Sequence, residues 1–292
     1  MKKTVIISIL LAGIVLSAFI FFSIFGFAKV DIYPKGSSIK MYRKIKNENF
    51  TSSFLKKNTF QYLEREELIL HKNPKNFDTI FSEKQNLCTR LIAKPGDTLY
   101  ISDTKVYVNN KTLNEEYDLF FLYRITMPHP VDFQNLLSDY NIEIIEIIND
   151  QKSCNFVATQ EQADDVAKIK DAINVRKIYL FAGKFIYGVF PAEAQLPWNP
   201  DNFGAVIIPK KGETVSLNRK NIPLYKYIIE AHEGNELFLN NYSKIEINGK
   251  TVTEYTFRKN YYFVINDNRY NYNDSRGFGF VPEDEILGKL ID

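Results

Sequence analysis

The chain has few of the residues that build metal centres and disulfide scaffolds. It carries two cysteines, Cys88 and Cys154, and three histidines, His71, His129 and His232, in 292 residues. Two cysteines exclude a four-cysteine zinc site and a disulfide-stapled fold. No histidine has a second His, Cys or carboxylate at metal-motif spacing, so neither a metal nor a cofactor is expected. An excess of charge is missing too, since 37 Lys and Arg stand against 35 Asp and Glu. That balance gives no field for a polyanion, and no nucleic-acid partner is expected. Hydrophobic residues are plentiful at 45%, with 25% charged, which excludes a disordered chain. The 23 Phe and 18 Tyr favour strands.

One hydrophobic run stands apart. Thr4 to Ala28 is 25 residues without a charge. At about 1.5 Å per residue a helix of that length spans a hydrocarbon core of about 30 Å. Gly26-Phe27-Ala28 has the small residues of a signal cleavage site, but the run exceeds the roughly 7–15 apolar residues of a cleaved signal. An uncleaved transmembrane anchor is expected over 4–28. Lys2 and Lys3 would stay cytoplasmic, with the remainder outside the inner membrane.

Beyond the anchor the pattern is of short strands and turns. Glu67–His71, Leu87–Ala93, Thr98–Ser102 and Lys105–Val108 read as strands, with Lys94-Pro95-Gly96-Asp97 and Asp103-Thr104 as turns and Asn109-Asn110 closing the hairpin. Ala205–Ile208, Glu236–Leu239, Lys244–Ile247 and Tyr261–Ile265 continue the pattern, and Asn248-Gly249 predicts a type I′ turn. The middle differs. Val131–Asp139 and Thr159–Ile173 have helical spacing, the second with Thr159 as N-cap and Gln162 at N3. Strands at Asn155–Ala158 and Lys177–Phe181 bracket that helix. The expected fold is mainly β with an α+β insertion and one N-terminal transmembrane helix. Its segments are a cytoplasmic 1–3, an anchor 4–28, a first β part 29–117, an insertion 118–195 and a second β part 196–292.

Two stretches resemble signal peptidase I, the membrane-bound serine endopeptidase family that removes secretory signal peptides. One is Thr89-Arg-Leu-Ile-Ala-Lys-Pro-Gly-Asp97 continuing to Val106-Tyr-Val-Asn109. The other is Asn266-Asp-Asn-Arg269 to Asn273-Asp-Ser-Arg276, then Gly279-Phe-Val-Pro282 and Ile286-Leu-Gly-Lys289. Trp198–Gly204 and Ile208–Gly212 are similar to the Bacteroidetes branch. The resemblance implies an antiparallel β peptidase domain at the membrane face. It also implies a serine that attacks the scissile carbonyl and a desolvated lysine that takes its proton. The substrate would add as a β-strand. The implied partners are signal peptides of exported preproteins and membrane lipid, with an active signal peptidase or the export machinery as a further partner.

The site residues depart from the family pattern. Tyr33-Pro-Lys-Gly-Ser-Ser-Ile-Lys-Met-Tyr42 stands at the nucleophile box. Aligning without a gap makes Ser37 the nucleophile; aligning Ser-Ile on the family's Ser-Met makes it Ser38. Lys35 then falls at the oxyanion serine. Thr89 stands at the base lysine, directly before Arg90, and a threonine hydroxyl does not take up a proton at neutral pH. The serine that orients the lysine is replaced by Tyr272, and a glycine by Asn266. Arg90, Asp267, Asn268, Asp274, Ser275 and Arg276 match as supporting residues, with Asp274 and Arg276 expected as a buried pair.

Plainer readings stand beside these. Ser37-Ser38 is also an ordinary loop pair, Pro95-Gly96-Asp97 an ordinary turn, and Thr89 a normal strand former. The polar run 267–274 lacks the ligand spacing of a calcium loop. Cys88 would face away from Thr89's side of a strand. Three functions follow: a peptidase with Ser37 attacking and a substitute base such as Lys184; a paralogue that binds signal peptides without cutting; and a membrane-tethered adaptor acting through its insertion.

Overall fold

The computed structural model describes residues 27–30, 53–57, 63–72, 86–239 and 244–291. Residues 4–26 of the anchor expected over 4–28, and Ser37 and Ser38, lie outside them; the last two residues of that run, Phe27 and Ala28, belong instead to a strand, Phe27–Val30. Among the described residues no helix is long and apolar enough to cross a membrane.

The architecture is mainly antiparallel β. The largest sheet has seven strands in the order β1 (Phe27–Val30), β2 (Ser53–Lys57), β20 (Ile286–Ile291), β3 (Leu68–His71), β4 (Leu87–Ala93), β18 (Tyr261–Ile265) and β19 (Val281–Pro282). Every pairing in it is antiparallel. The chain's last strand thus lies between two of its earliest. β4 and β18 are buried almost throughout, because the sheet is covered on both faces. Ile92, Phe263 and Ile265 point into the main core, while Leu91 and Val264 point into a smaller cluster with Leu63, Ile69, Leu87 and Phe278. That alternation is the two-residue period of a strand.

A second sheet packs into the main core in the order β12 (Phe203–Ile207), β5 (Thr98–Ser102), β6 (Lys105–Val108), β7 (Lys111–Thr112). Asp103 and Thr104 both take positive φ at the β5–β6 turn, as do Asn109 and Asn110. Asn109-Asn110 is therefore a second hairpin turn, leading into β7, and not the end of the motif. A small sheet of β14 (Leu237–Leu239), β15 (Ile245–Ile247) and β16 (Lys250–Val252) carries the expected type I′ turn, with φ of 50° at Asn248 and 75° at Gly249. β13 (Thr214–Ser216) pairs with β17 (Glu254–Thr256).

Residues 121–177 form their own sheet, β11 (Asn174–Lys177), β8 (Phe121–Thr126), β10 (Ser153–Ala158), β9 (Glu143–Ile148), over their own core of Ile125, Phe133, Phe156 and Val166. The helices here are shorter than their sequence spacing predicts. α1 is Phe133–Leu136, followed by a 3₁₀ turn at Ser138–Tyr140, and α2 is Gln160–Val166. The capping box is present in both directions: Gln162 N–H donates to Thr159 Oγ1 at 3.2 Å, and Thr159 N–H to Gln162 Oε1 at 2.9 Å. Past Ala167 the chain turns, with Asp171 at φ 65°, yet Ile169 and Ala172 still pack on the same core. The expected strand Lys177–Phe181 is displaced: β11 ends at Lys177, and the Leu180 N–H donates to Asp201 instead of to a ladder. A helix α3 at Ile222–Tyr227, which the strand pattern does not predict, seals one side of the main core.

Candidate functional site

Thr89 sits in the middle of β4, 1% exposed, on the face that carries Leu87 and Leu91. β3 runs antiparallel beside it, with Ile69 opposite Thr89 and His71 opposite Leu87. Residues two apart share a face, so His71 and Thr89 are diagonal neighbours on one side of the sheet. Their side chains meet: His71 Nε2 lies 3.0 Å from Thr89 Oγ1. The other ring nitrogen, Nδ1, lies 2.7 Å from the Lys72 carbonyl. A carbonyl only accepts, so Nδ1 carries the proton in the neutral ring. Nε2 is then the acceptor and the Thr89 hydroxyl the donor. His71 is fully buried, and the Phe278 ring lies edge-on at 5.9 Å. Burial pushes its pKa down to about 4, against the upward pull of the Lys72 carbonyl and the Asp274 charge.

Arg90 points to the opposite face. Ile265 pairs with Arg90, which brings Asp267, two residues past the end of β18, within reach. The pair is bidentate, Nε to Oδ1 at 2.7 Å and Nη2 to Oδ2 at 2.6 Å, and Nη1 donates to the Glu66 carbonyl. Burial opposes the guanidinium charge, but Asp267 more than offsets it and holds the arginine pKa above its usual value. The Tyr117 ring caps the guanidinium at 3.7 Å. Tyr117 also donates to Glu115, which pairs with buried Arg269. Asn268 forms a parallel bridge with Phe120, so this loop is stitched to the residue just before β8. Sequence reasoning missed Glu115 and Tyr117, which lie in no shared motif.

Asp274, Ser275 and Arg276 form the buried support expected of them. Asp274 Oδ2 accepts from Arg276 Nη2 at 2.7 Å and from the Asn266 N–H at 2.9 Å, while Oδ1 accepts from the Arg276 N–H at 2.9 Å. Arg276 in turn donates to the carbonyls of Arg269 and Asn271. Ser275 Oγ accepts from the Val264 N–H at 3.0 Å and so ties α4 (Ser275–Phe278) to β18. Asn266 donates to the carbonyls of Asn271 and Asn273. Gly277 is required by space: a Cβ there would lie 2.6 Å from the Tyr272 carbonyl. The Tyr272 ring packs on the main core, the face of the sheet opposite Thr89.

Among the described residues, Lys94 and Lys184 are not placed to supply a base. Lys94 Nζ is held by Glu64 at 2.9 Å and the Leu63 carbonyl at 3.2 Å, at the Pro95-Gly96 turn. Lys184, named above as a substitute, is exposed and so lacks the desolvation that such a role requires. Cys88 faces Leu70, away from Thr89's side, and both cysteines are buried outside any disulfide.

The family described as signal peptidase, peptidase S26, matches residues 2–166 and 205–291, and the chain belongs to that family. Among solved structures, a signal peptidase I from Enterococcus faecalis V583 matches with 16% identity, covering 78% of this chain and 97% of that one, at a TM-score of 0.30. No curated protein matches. Family membership therefore rests on the sequence match, which spans both the Thr89 stretch and the Asp274 stretch.

Proposed function

We propose that this chain is a signal-peptidase-type serine endopeptidase that cleaves signal peptides from exported preproteins at the outer face of the inner membrane. The observation that carries the reading is the placement of Thr89 and His71. Thr89, which the resemblance puts at the family's base position, is buried, and an imidazole nitrogen sits 3.0 Å from its hydroxyl. The buried Asp274–Arg276 pair supports the same reading, because it braces the loop that flanks this position. Ser37 is the proposed nucleophile, with Ser38 as the alternative register. The apolar run 4–26, ahead of β1, is the proposed anchor. Small residues before the cut, as in Ala-x-Ala, are the proposed specificity.

A second reading is favoured by one observation. Thr89 is a threonine and is 1% exposed, so a paralogue that binds signal peptides without cutting them would look the same at this residue. Profiling the N-termini of exported proteins separates the two. Cells carrying Ser37→Ala or Ser38→Ala in place of this chain should accumulate a subset of preproteins with uncut signal peptides. Unchanged N-termini in both would exclude the peptidase reading.

A further inference from the structure

We infer that the loop 178–198 carries a processing site, cut between Ala194 and Gln195 by a signal-peptidase-type endopeptidase acting from another molecule. The inference rests on the Ala-x-Ala specificity proposed above and not on catalysis by the chain that is cut. Ala192-Glu-Ala194 is the sole Ala-x-Ala in the 292 residues. It ends a run of eight uncharged residues, Phe185–Ala192, that follows Lys184. A cation, an apolar run of about 7–15 residues and a small-x-small end are, in that order, the parts of a cleaved signal. Here they lie inside the folded domain, on a stretch without helix or strand between β11 and β12. A connection of that length without secondary structure is uncommon in a compact domain unless it has a use of its own.

The fold holds both flanks and leaves the cut point open. On one side Phe190 is buried edge-on against Phe280 at 5.4 Å, and its N–H donates to the Arg276 carbonyl at 2.8 Å. On the other side Asn199 is buried, and its amide donates to the carbonyls of Phe181 and Lys184. Between these anchors Glu193, Ala194 and Gln195 are exposed. The backbone bonds here are those of turns: the Ala192 N–H donates to the Val189 carbonyl at 2.7 Å, and the Leu196 N–H to the Glu193 carbonyl at 2.8 Å. Leu196, part-buried on the main core, is the nearest apolar hold. Ala192 takes φ of 61°, a left-handed conformation that a Cβ disfavours. An endopeptidase of this kind takes its substrate as an added strand. Straightening the segment to fit releases the strain at Ala192 and breaks turn bonds instead of a ladder, the usual mark of a segment that opens locally. The step is a hydrolysis. The Ala194–Gln195 C–N bond breaks, the hydroxyl of water ends on the Ala194 carbonyl carbon, and its proton ends on the Gln195 nitrogen. The cut does not release a fragment. The largest sheet interleaves β1 to β4, which precede residue 194, with β18, β19 and β20, which follow it, and β12 pairs with β5 in the second sheet.

The test incubates the purified full-length protein in detergent with a signal peptidase I that has an intact serine–lysine pair. A labelled preprotein in the same tube reports that the added enzyme works. Glu193→Gln and Ala194→Phe, both at exposed positions, run alongside. Wild type should yield fragments 1–194 and 195–292, which separate in denaturant and stay together without it. Trypsin should then release Gln195–Lys210 in place of Phe185–Lys210. Glu193→Gln should be cut as wild type is, and Ala194→Phe should not be cut, because a shallow pocket for a small residue excludes the phenyl ring. The same cut formed without added enzyme, and lost in Ser37→Ala or Ser38→Ala, supports the site with a second copy of this chain as the enzyme. An intact loop beside a cut preprotein, or a cut that survives Ala194→Phe, would overturn the inference. Either result leaves the peptidase reading standing, since that reading is judged on preprotein cleavage by this chain alone.

Discussion

Asp274 shows how much one carboxylate holds in place. It caps α4, anchors the Asn266 N–H and pairs with Arg276, all out of water. Removing one partner of a buried pair leaves the other charge uncompensated, at a cost of about 3–5 kcal/mol. Asp274→Ala should therefore lower the unfolding free energy by that amount in a urea titration, whereas Lys168→Ala, which breaks an exposed pair, should leave it nearly unchanged. The histidines add a pH dependence whose sign follows from burial. His71 and His232 are both pushed down to about 4, chiefly by desolvation. Between the unfolded value of about 6.5 and that folded value, the unfolded chain binds more protons. Their contribution is thus complete above about pH 6.5 and is lost as pH falls toward 4. His232, packed between Tyr227 and Tyr261, isolates the effect outside the proposed site. His232→Gln should flatten the fall in melting temperature between pH 6.5 and 4.5 relative to wild type.

At the scale of elements, strand existence was legible and strand partnership was not. Leu87–Ala93, Thr98–Ser102, Lys105–Val108 and Tyr261–Ile265 fold with the ends the sequence marks, because β-branched and aromatic runs are cut by Pro-Gly and Asx turns. The insertion of β20 between β2 and β3 is set by contacts more than 200 residues apart in sequence, which no local pattern reports. Register, too, is a tertiary property. The His71–Thr89 contact exists because Ile69 lies opposite Thr89, and a slip of one residue would turn His71 to the other face. In α2 the start was legible and the end was not. The capping box fixes the first turn, while beyond Ala167 the stripe's Ile169 and Ala172 pack on the core from turns instead of helix and Ile173 is exposed. Thr159→Ala should cost about 1 kcal/mol of stability in the same titration, the ordinary worth of an N-cap.

The whole molecule is a member of the signal peptidase family built mainly of antiparallel sheets. Arg90, Asp267, Asp274 and Arg276 were legible from their motifs as single residues; the structure pairs Asp274 with Arg276 and, as no motif announced, Arg90 with Asp267. Thr89 was legible as a departure, and His71 was not, because nothing in a sequence marks a histidine 18 residues upstream as its partner. The most direct measurement is cleavage of a labelled preprotein by the purified full-length protein in detergent, with Ser37→Ala and Ser38→Ala beside it. One defined cut after a small residue, abolished by one of the two serine changes, is the expected result. A preprotein that binds and stays intact with wild-type protein would contradict it.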